Sequence, residues 1–329
     1  MKAVVCERYG PPEVLRLTET ATPQPRDNEL LIRIHATTVT FADRRIRAMD
    51  APPGFGVLMR LAFGVSRPRQ PVLGSELAGV VDAVGSAVHA FRPGDRVFAF
   101  ADARLGCHAE YRCLPDNALV ARMPANLDFA HAAALSFGGT TALSFLRRAK
   151  VRRGEQVLIN GASGGVGTAA IQLARHLGAE VTAVCSAANA DLVSSLGAAR
   201  VIDYAREDFT QLGECWDVIM DTVGTAPYSR ASPVLRPGGR LLAVLAGLQD
   251  MLTTPLRARL HGRRVIAGPA FGTTEDLRHL AQLAEAGVFL PVIDREFPLE
   301  RIVEAHRHVD TGRKRGNVII HVTDSLSQG

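Results

Sequence analysis

The residues most able to do chemistry lie between Val157 and Gly167. The apolar run Val157-Leu158-Ile159-Asn160 breaks into Gly161-Ala162-Ser163-Gly164-Gly165-Val166-Gly167 and continues into Thr168-Ala169-Ala170-Ile171-Gln172-Leu173-Ala174. Small residues at such a turn let the main chain close on a pyrophosphate. The helix that follows offers free N–H groups and the positive end of its dipole. Relative to G-x-G-x-x-G, the chain reads Ala162-x-Gly164-x-x-Gly167, with alanine at the first glycine. A turn that merely packs would look similar in isolation. A strand before, a helix after and a βαβ rhythm around it make the dinucleotide reading specific. Ser163, Gly164, Gly165 and Val166 are the expected contacts. An NAD site usually ends its next strand in Asp or Glu, which accepts from the ribose hydroxyls. Here Val181–Cys185 is followed by Ser186-Ala187-Ala188-Asn189, with no acid. A 2′-phosphate would meet no repulsion there, Ser186 and Asn189 can donate to it, and Tyr204 can close over it. NADP(H) is therefore expected. No Lys or Arg stands at the strand end, so NAD use stays open.

The elements that must position these residues can be read from pattern. Up to about residue 120 the chain is β-rich, with short strands expected at Ala3–Cys6, Glu29–Ala36, Gly79–Val84, Asp95–Phe100 and Glu110–Leu114. Residues 51–71 carry four prolines around the apolar stretch Gly56–Gly64, which reads equally as a short helix capping a cleft or as a surface loop. From about residue 130 strands and helices alternate: Gln156–Asn160, helix Gly167–Leu177, Glu180–Cys185, helix Ala190–Leu196, Arg200–Ile202, Asp217–Met220, Arg240–Leu245 and Arg264–Ala267. That rhythm is the pattern of a doubly wound parallel sheet. A helix at Thr274–Ala286 follows, then strand-like Phe289–Ile293 and Asn317–Val322 around a helix at Leu299–His308. The expected fold is thus α/β and discontinuous: a β-rich domain over 1–130 and 271–329, with a Rossmann NADP-binding domain inserted at 131–270.

Length and composition agree. A chain of 329 residues, 47% hydrophobic and 22% charged, has material for two cored domains and does not read as disordered. No apolar run approaches the ~20 residues of a membrane helix, and Met1–Arg8 offers no signal-peptide core. No membrane partner and a cytoplasmic location are expected. The net charge is +5, with Lys only at Lys2, Lys150 and Lys314 and the remaining cations arginine. They are scattered in pairs apart from Arg313-Lys314-Arg315, and no RNA-binding motif accompanies them, so nucleic acid is not expected as the main partner. Cys6, Cys107, Cys113, Cys185 and Cys215 are odd in number and contain no C-x-x-C pair, which fits reduced thiols.

The chain resembles the zinc-independent medium-chain dehydrogenase/reductases, in the quinone oxidoreductase (zeta-crystallin-like) branch. The residues that carry the resemblance are Gly74-Ser75-Glu76-Leu77-Ala78-Gly79-Val80-Val81, Arg92-Pro93-Gly94-Asp95-Arg96-Val97 and Gly138-Gly139-Thr140-Thr141-Ala142. The glycine-rich turn, Val201-Ile202-Asp203-Tyr204 and Leu235-Arg236-Pro237-Gly238-Gly239-Arg240 complete them. The resemblance implies that the β-rich domain is GroES-like. It places Thr140 near the nicotinamide, the Val244–Gly247 backbone (Ala246 within it) and Phe271–Gly272 beside the carboxamide, and Asn317 near the pyrophosphate. It sets Phe41 and Asp43 at the substrate cleft, Phe41 to stack on a flat ring and Asp43 to orient a proton donor; a core phenylalanine and a surface pair with Arg44 or Arg47 are the plainer readings. His306 and His308 read as helix-surface residues. A homodimer through Arg264–Ala267 is likewise implied.

Zinc members carry a His before the Glu of their G-H-E motif, an early Cys and a four-Cys lobe. This chain has Ser75 before Glu76 and no Cys in Thr38–Asp43, and Cys107-His108 with Cys113 lacks a fourth partner. No metal is expected. An unassisted enzyme needs an acceptor that is already electrophilic, such as a quinone or an α,β-unsaturated carbonyl, and then works by positioning. A non-catalytic NADPH-binding sensor or nucleic-acid binder, and a metal-free NADP-dependent alcohol dehydrogenase, are the alternatives.

Overall fold

The computed structural model describes residues 1–323, and the chain divides into two compact units. Unit 1 comprises Met1–Ala51, Gly56–Phe137 and the chain from Gly272 onward; unit 2 comprises Pro52–Phe55 and Gly138–Phe271. No helix among the described residues is long and apolar enough to cross a membrane.

The first stretch of unit 1 contains β1 (Lys2–Cys6), β2 (Leu15–Glu19), β3 (Glu29–Thr38), α1 (Phe41–Ala48) and α2 (Gly56–Phe63). It continues through β4 (Glu76–Val84), β5 (Arg96–Phe100), β6 (Tyr111–Pro115), β7 (Leu119–Arg122) and α3 (Phe129–Ala133). The ten-residue β3 is the joint of its sheet. It pairs along one edge with β4, and along the other with β6 over Glu29–Arg33, all antiparallel. Unit 2 holds most of α4 (Ser136–Ala149), then β8 (Gln156–Asn160), α5 (Gly165–His176), β9 (Glu180–Cys185), α6 (Ala190–Ser195) and β10 (Arg200–Asp203). After these come β11 (Trp216–Asp221), α7 (Tyr228–Ala231), β12 (Leu235–Ala243), α8 (Leu248–Leu260) and β13 (Arg264–Ala267). The chain then returns to unit 1 with α9 (Thr274–Glu285), β14 (Ile293–Pro298), α10 (Ile302–Asp310) and β15 (Asn317–His321). In that return β15 takes the remaining edge of β3 at Ala36–Thr38 and carries β14 outside it.

Unit 2 is a six-stranded parallel sheet in the order β10-β9-β8-β11-β12-β13. The chain runs outward from β8 on one side and then outward from β11 on the other. That reversal opens a crevice at the C-terminal ends of β8 and β11, where doubly wound sheets take ligands.

Two expectations are corrected in unit 1. Phe289–Ile293 is not a strand: Val288 and Phe289 donate to the Leu283 carbonyl as the end of α9, and Pro291 has no N–H for a ladder, so the strand starts at Ile293. His306 is not on the helix surface but fully buried, because Ile302, Ala305, His306 and Val309 share the inward face of α10 at i, i+3, i+4 and i+7. His308 lies on the other side and pairs with Asp294 at 2.5 Å. Residues 51–71 hold the helix α2, which has no buried residue.

Glu76, the first residue of β4, is fully buried. Its Oε2 accepts from Thr38 Oγ1 and its Oε1 from Phe137 N, each at 2.5 Å, while its carbonyl accepts from Thr37 Oγ1. One carboxyl thus ties β3, β4 and the start of α4. Burial pushes its pKa from 4.5 up to about 7 despite these bonds. A carboxyl whose folded value lies above its unfolded one holds its proton more tightly when folded. It therefore contributes stability that is complete below pH 4.5 and lost as pH rises through about 7. Glu76→Gln keeps a neutral acceptor toward Phe137 and should flatten the pH dependence of thermal unfolding across that interval, removing a loss on the order of 3 kcal/mol. Equal slopes for the two proteins would refute this role.

Candidate active site

The start of α5 is built from main chain packed on main chain. Gly161 sits at φ +79° after β8, and both Gly161 N and Ala162 N donate to the Val184 carbonyl of β9. A Cβ on Gly167 would lie 2.3 Å from the Gly161 carbonyl oxygen, so only glycine fits there. Gly164 differs. It is the N-cap of α5 with no side-chain cap, and a Cβ on it would meet only the Gly161 oxygen, at 3.6 Å. Its face is an open cradle, and the first-turn N–H groups of α5 point to it without a side chain to satisfy them.

Beside the cradle stand three side chains expected from the sequence. Asn189 Nδ2 donates to Ser163 Oγ at 3.0 Å and to Ser186 Oγ at 3.2 Å. Both hydroxyls therefore act as acceptors from the amide and keep their own hydrogens to donate outward. Asn189 Oδ1 is buried with no hydrogen-bond partner. The carboxylate at the end of β10, Asp203, is turned onto Ala205 N at 3.1 Å and lies 3.7 Å from Arg206. Tyr204 is 65% exposed and is held next to Ser186 by its N–H donation to the Cys185 carbonyl at 3.2 Å. Arg206, on the same turn, is the cation that reading the end of β9 alone does not find. A set of free hydroxyl donors, an exposed aromatic ring and an uncapped helix start fits a phosphorylated dinucleotide.

The other assigned residues fall as follows. Gly138 reaches the same place, since a Cβ there would lie 2.7 Å from the Gly165 carbonyl oxygen; two residues on, Thr140 is buried in α4. Ala246 is half-buried between β12 and α8, and Phe271 stands 77% exposed after β13. Asn317, Phe41 and Asp43 belong to unit 1. Asn317 is buried at the start of β15, where Nδ2 donates to the Val292 carbonyl at 3.0 Å. The Phe41 ring rests against the core, with the Arg44 and Arg45 guanidiniums 5.2 and 5.0 Å from its centroid. Asp43 makes no surface pair with Arg44 or Arg47. It is buried as the N3 member of a capping box, with Oδ2 accepting from Thr40 N at 2.8 Å and Thr40 Oγ1 at 2.6 Å, and both arginines pair with Asp310 instead.

Asp221 was not singled out by spacing, yet it organises the crevice floor. At the end of β11, its Oδ1 accepts from Asn160 Nδ2 at 3.0 Å and from Val223 N and Gly224 N, and its Oδ2 from Ala226 N. The signal was present as an Asx-type turn in Asp221-Thr222-Val223-Gly224.

Residues 26–125 match the model of the alcohol dehydrogenase GroES-like domain, and residues 196–320 that of the zinc-binding dehydrogenase. The chain is 34% identical to the 2-methylene-furan-3-one reductase of Solanum lycopersicum, covering 98% of this chain and 79% of that protein. It is 32% identical to the quinone oxidoreductase of Homo sapiens, over 95% and 94% of the two chains. The Escherichia coli quinone oxidoreductase structure complexed with NADPH superposes with a TM-score of 0.83 at 26% identity, over 98% of this chain and all of the other.

The two glycines should separate folding from binding. Gly164→Ala should fold, losing about 1 kcal/mol for the poorer cap, yet weaken dinucleotide affinity by about tenfold or more as the methyl fills the cradle. Gly167→Ala should lose more than about 4 kcal/mol from backbone overlap. Calorimetry of unfolding and of NADPH binding reads both; unaltered binding in Gly164→Ala would place the pyrophosphate elsewhere.

Proposed function

The chain belongs to the medium-chain dehydrogenase/reductase superfamily, and from that premise we propose that it is a zinc-independent, NADPH-dependent reductase of quinones or α,β-unsaturated carbonyls. The observation that carries the cofactor choice is the Ser163–Asn189–Ser186 cluster, which offers two outward hydroxyl hydrogens and no carboxylate where a ribose would sit. NADPH, when bound, supplies a hydride to the acceptor. The Gly164–Val166 backbone holds the pyrophosphate, the Ser186 hydroxyl, positioned by Asn189, faces the 2′-phosphate, and Tyr204 with Arg206 closes over it; Asn189 itself has no hydrogen left to donate there, against the expectation from the sequence. Thr140, Ala246 and Phe271 are assigned to the nicotinamide end. Asn317 is assigned to the pyrophosphate.

Zinc independence is supported by the donor set. Ser75 precedes Glu76, and His108 donates its Nε2 hydrogen to the Thr38 carbonyl at 2.9 Å. Among the described residues no three His, Cys, Asp or Glu gather as a metal site. The match to the zinc-binding model spans residues 196–320, which lie beyond all of these positions. An acceptor that needs no Lewis acid is then required, and quinones and enones satisfy this. Phe41 is assigned to stack on the flat acceptor. Asp43 acts as a positioning residue, since its capping box fixes the start of α1 and with it Phe41.

A homodimer is the proposed assembly. β13 is the outer strand of its sheet, and α8 exposes Leu252, Leu256 and Leu260 at i, i+4 and i+8. Sedimentation as a monomer at assay concentration would remove it. A cytoplasmic location is supported by the five unpaired cysteines.

The test follows NADPH and NADH oxidation with 1,4-benzoquinone and with an enone, with and without EDTA. Turnover should favour NADPH and ignore EDTA. Ser186→Asp should raise the KM for NADPH by about tenfold or more, because its carboxylate repels the 2′-phosphate, while sparing NADH. Tight NADPH binding without turnover would instead establish a non-catalytic sensor.

A further inference from the structure

α2 and the turn after it present their apolar side chains the wrong way round for a surface helix. Met59 and Phe63 pack inward against the core of unit 1. On the opposite arc, Val57, Leu58 and Leu61 are 72%, 50% and 56% exposed, and Val65 beyond the helix is 61% exposed. The segment is anchored rather than loose. Tyr9 Oη donates to the Gly64 carbonyl at 2.8 Å, Arg69 N to the Phe63 carbonyl at 2.7 Å, and Arg60 Nη1 to the Val65 carbonyl at 2.5 Å. An anchored helix that keeps four aliphatic side chains in water marks a contact surface.

Charge identifies the occupant. From Ala51 to Ser75 the chain has Arg60, Arg67 and Arg69 and no Asp or Glu. All three arginines belong to exposed residues, and none forms an ion pair among the described residues. A second copy of this chain would set the three unpaired cations of one α2 face near those of the other. Nucleic acid would be met by aromatic and polar groups among the cations, whereas the outward side chains here are aliphatic. Aliphatic residues flanked by arginine match the boundary between acyl chains and anionic headgroups.

We propose that the α2 face docks this protein on the surface of an anionic lipid bilayer. Val57, Leu58, Leu61 and Val65 enter the headgroup–acyl boundary, and Arg60, Arg67 and Arg69 lie among the phosphates. The absence of a spanning helix, which led to the expectation of no membrane partner, concerns insertion across a bilayer and not docking on one. The proposal is independent of the reductase reading, because it is read without turnover.

The test is co-sedimentation of the full chain with vesicles of phosphatidylcholine alone and of phosphatidylcholine with phosphatidylglycerol. The protein should pellet with the anionic vesicles and be released by salt. L58E/L61E should abolish pelleting, and each of Arg60→Gln, Arg67→Gln and Arg69→Gln should weaken it roughly fivefold. The side chains of Leu58, Leu61, Arg67 and Arg69 are exposed and anchor nothing in the segment, so those variants should keep the thermal unfolding of the parent. Failure to pellet with anionic vesicles, or equal pelleting with both kinds, would overturn the proposal. So would L58E/L61E pelleting as well as the parent. Dissociation of an oligomer by L58E/L61E, with no vesicle binding by the parent, would assign the face to a second copy. A raised KM for a soluble quinone in L58E/L61E, again with no vesicle binding by the parent, would make α2 a substrate lid.

Discussion

Main-chain atoms crowd together where β8 turns into α5, and unit 2 is organised by that crowding. The Gly161 carbonyl oxygen sits where a Cβ of Gly167 would be, the Gly165 carbonyl lies against Gly138 of α4, and the Val184 carbonyl of β9 accepts from two successive N–H groups of the turn. Side chains would push these segments apart. Their absence lets a strand, two helices and the neighbouring strand meet at one point. What the crowding leaves open is the cradle in front of Gly164. The same local sequence therefore builds the fold and leaves open space in front of the free N–H groups at the start of α5.

In unit 1 the comparable task falls to buried polar groups. Glu76 joins β3, β4 and the chain entering α4, and Asp43 closes the first turn of α1. Arg47, buried on α1, reaches Asp310 at the end of α10 through paired bonds of 2.7 and 2.9 Å. A buried charge without a partner would be costly, so each fixes a register that apolar packing alone would leave free to slide. His306 beside His108, with ring centroids 5.8 Å apart, extends this polar interior, and burial lowers the pKa of both.

The end of β9 and the start of α1 thus depend on different kinds of structure. The end of β9 is set by short-range geometry, with Asn189 spending its amide hydrogens on two serines. The start of α1 carries Phe41, whose ring is held by core contacts and two nearby guanidiniums.

Local spacing determined the parallel sheet, the glycine turn and the acid-free end of β9. Each depends on residues within one turn or one strand–helix step, where backbone sterics and capping decide the outcome. Distant partners decided the rest. That Asp43 is buried and that Arg47 and Arg44 turn to Asp310 depend on neighbours that spacing alone does not assign. His306 reads as a helix-surface residue in the sequence, and its burial is decided by the core that α10 covers. The outward aliphatic face of α2 is the clearest case. Residues 56–63 spell an apolar segment that could turn either way, and only the packing of Met59 and Phe63 against unit 1 leaves Val57, Leu58 and Leu61 to water.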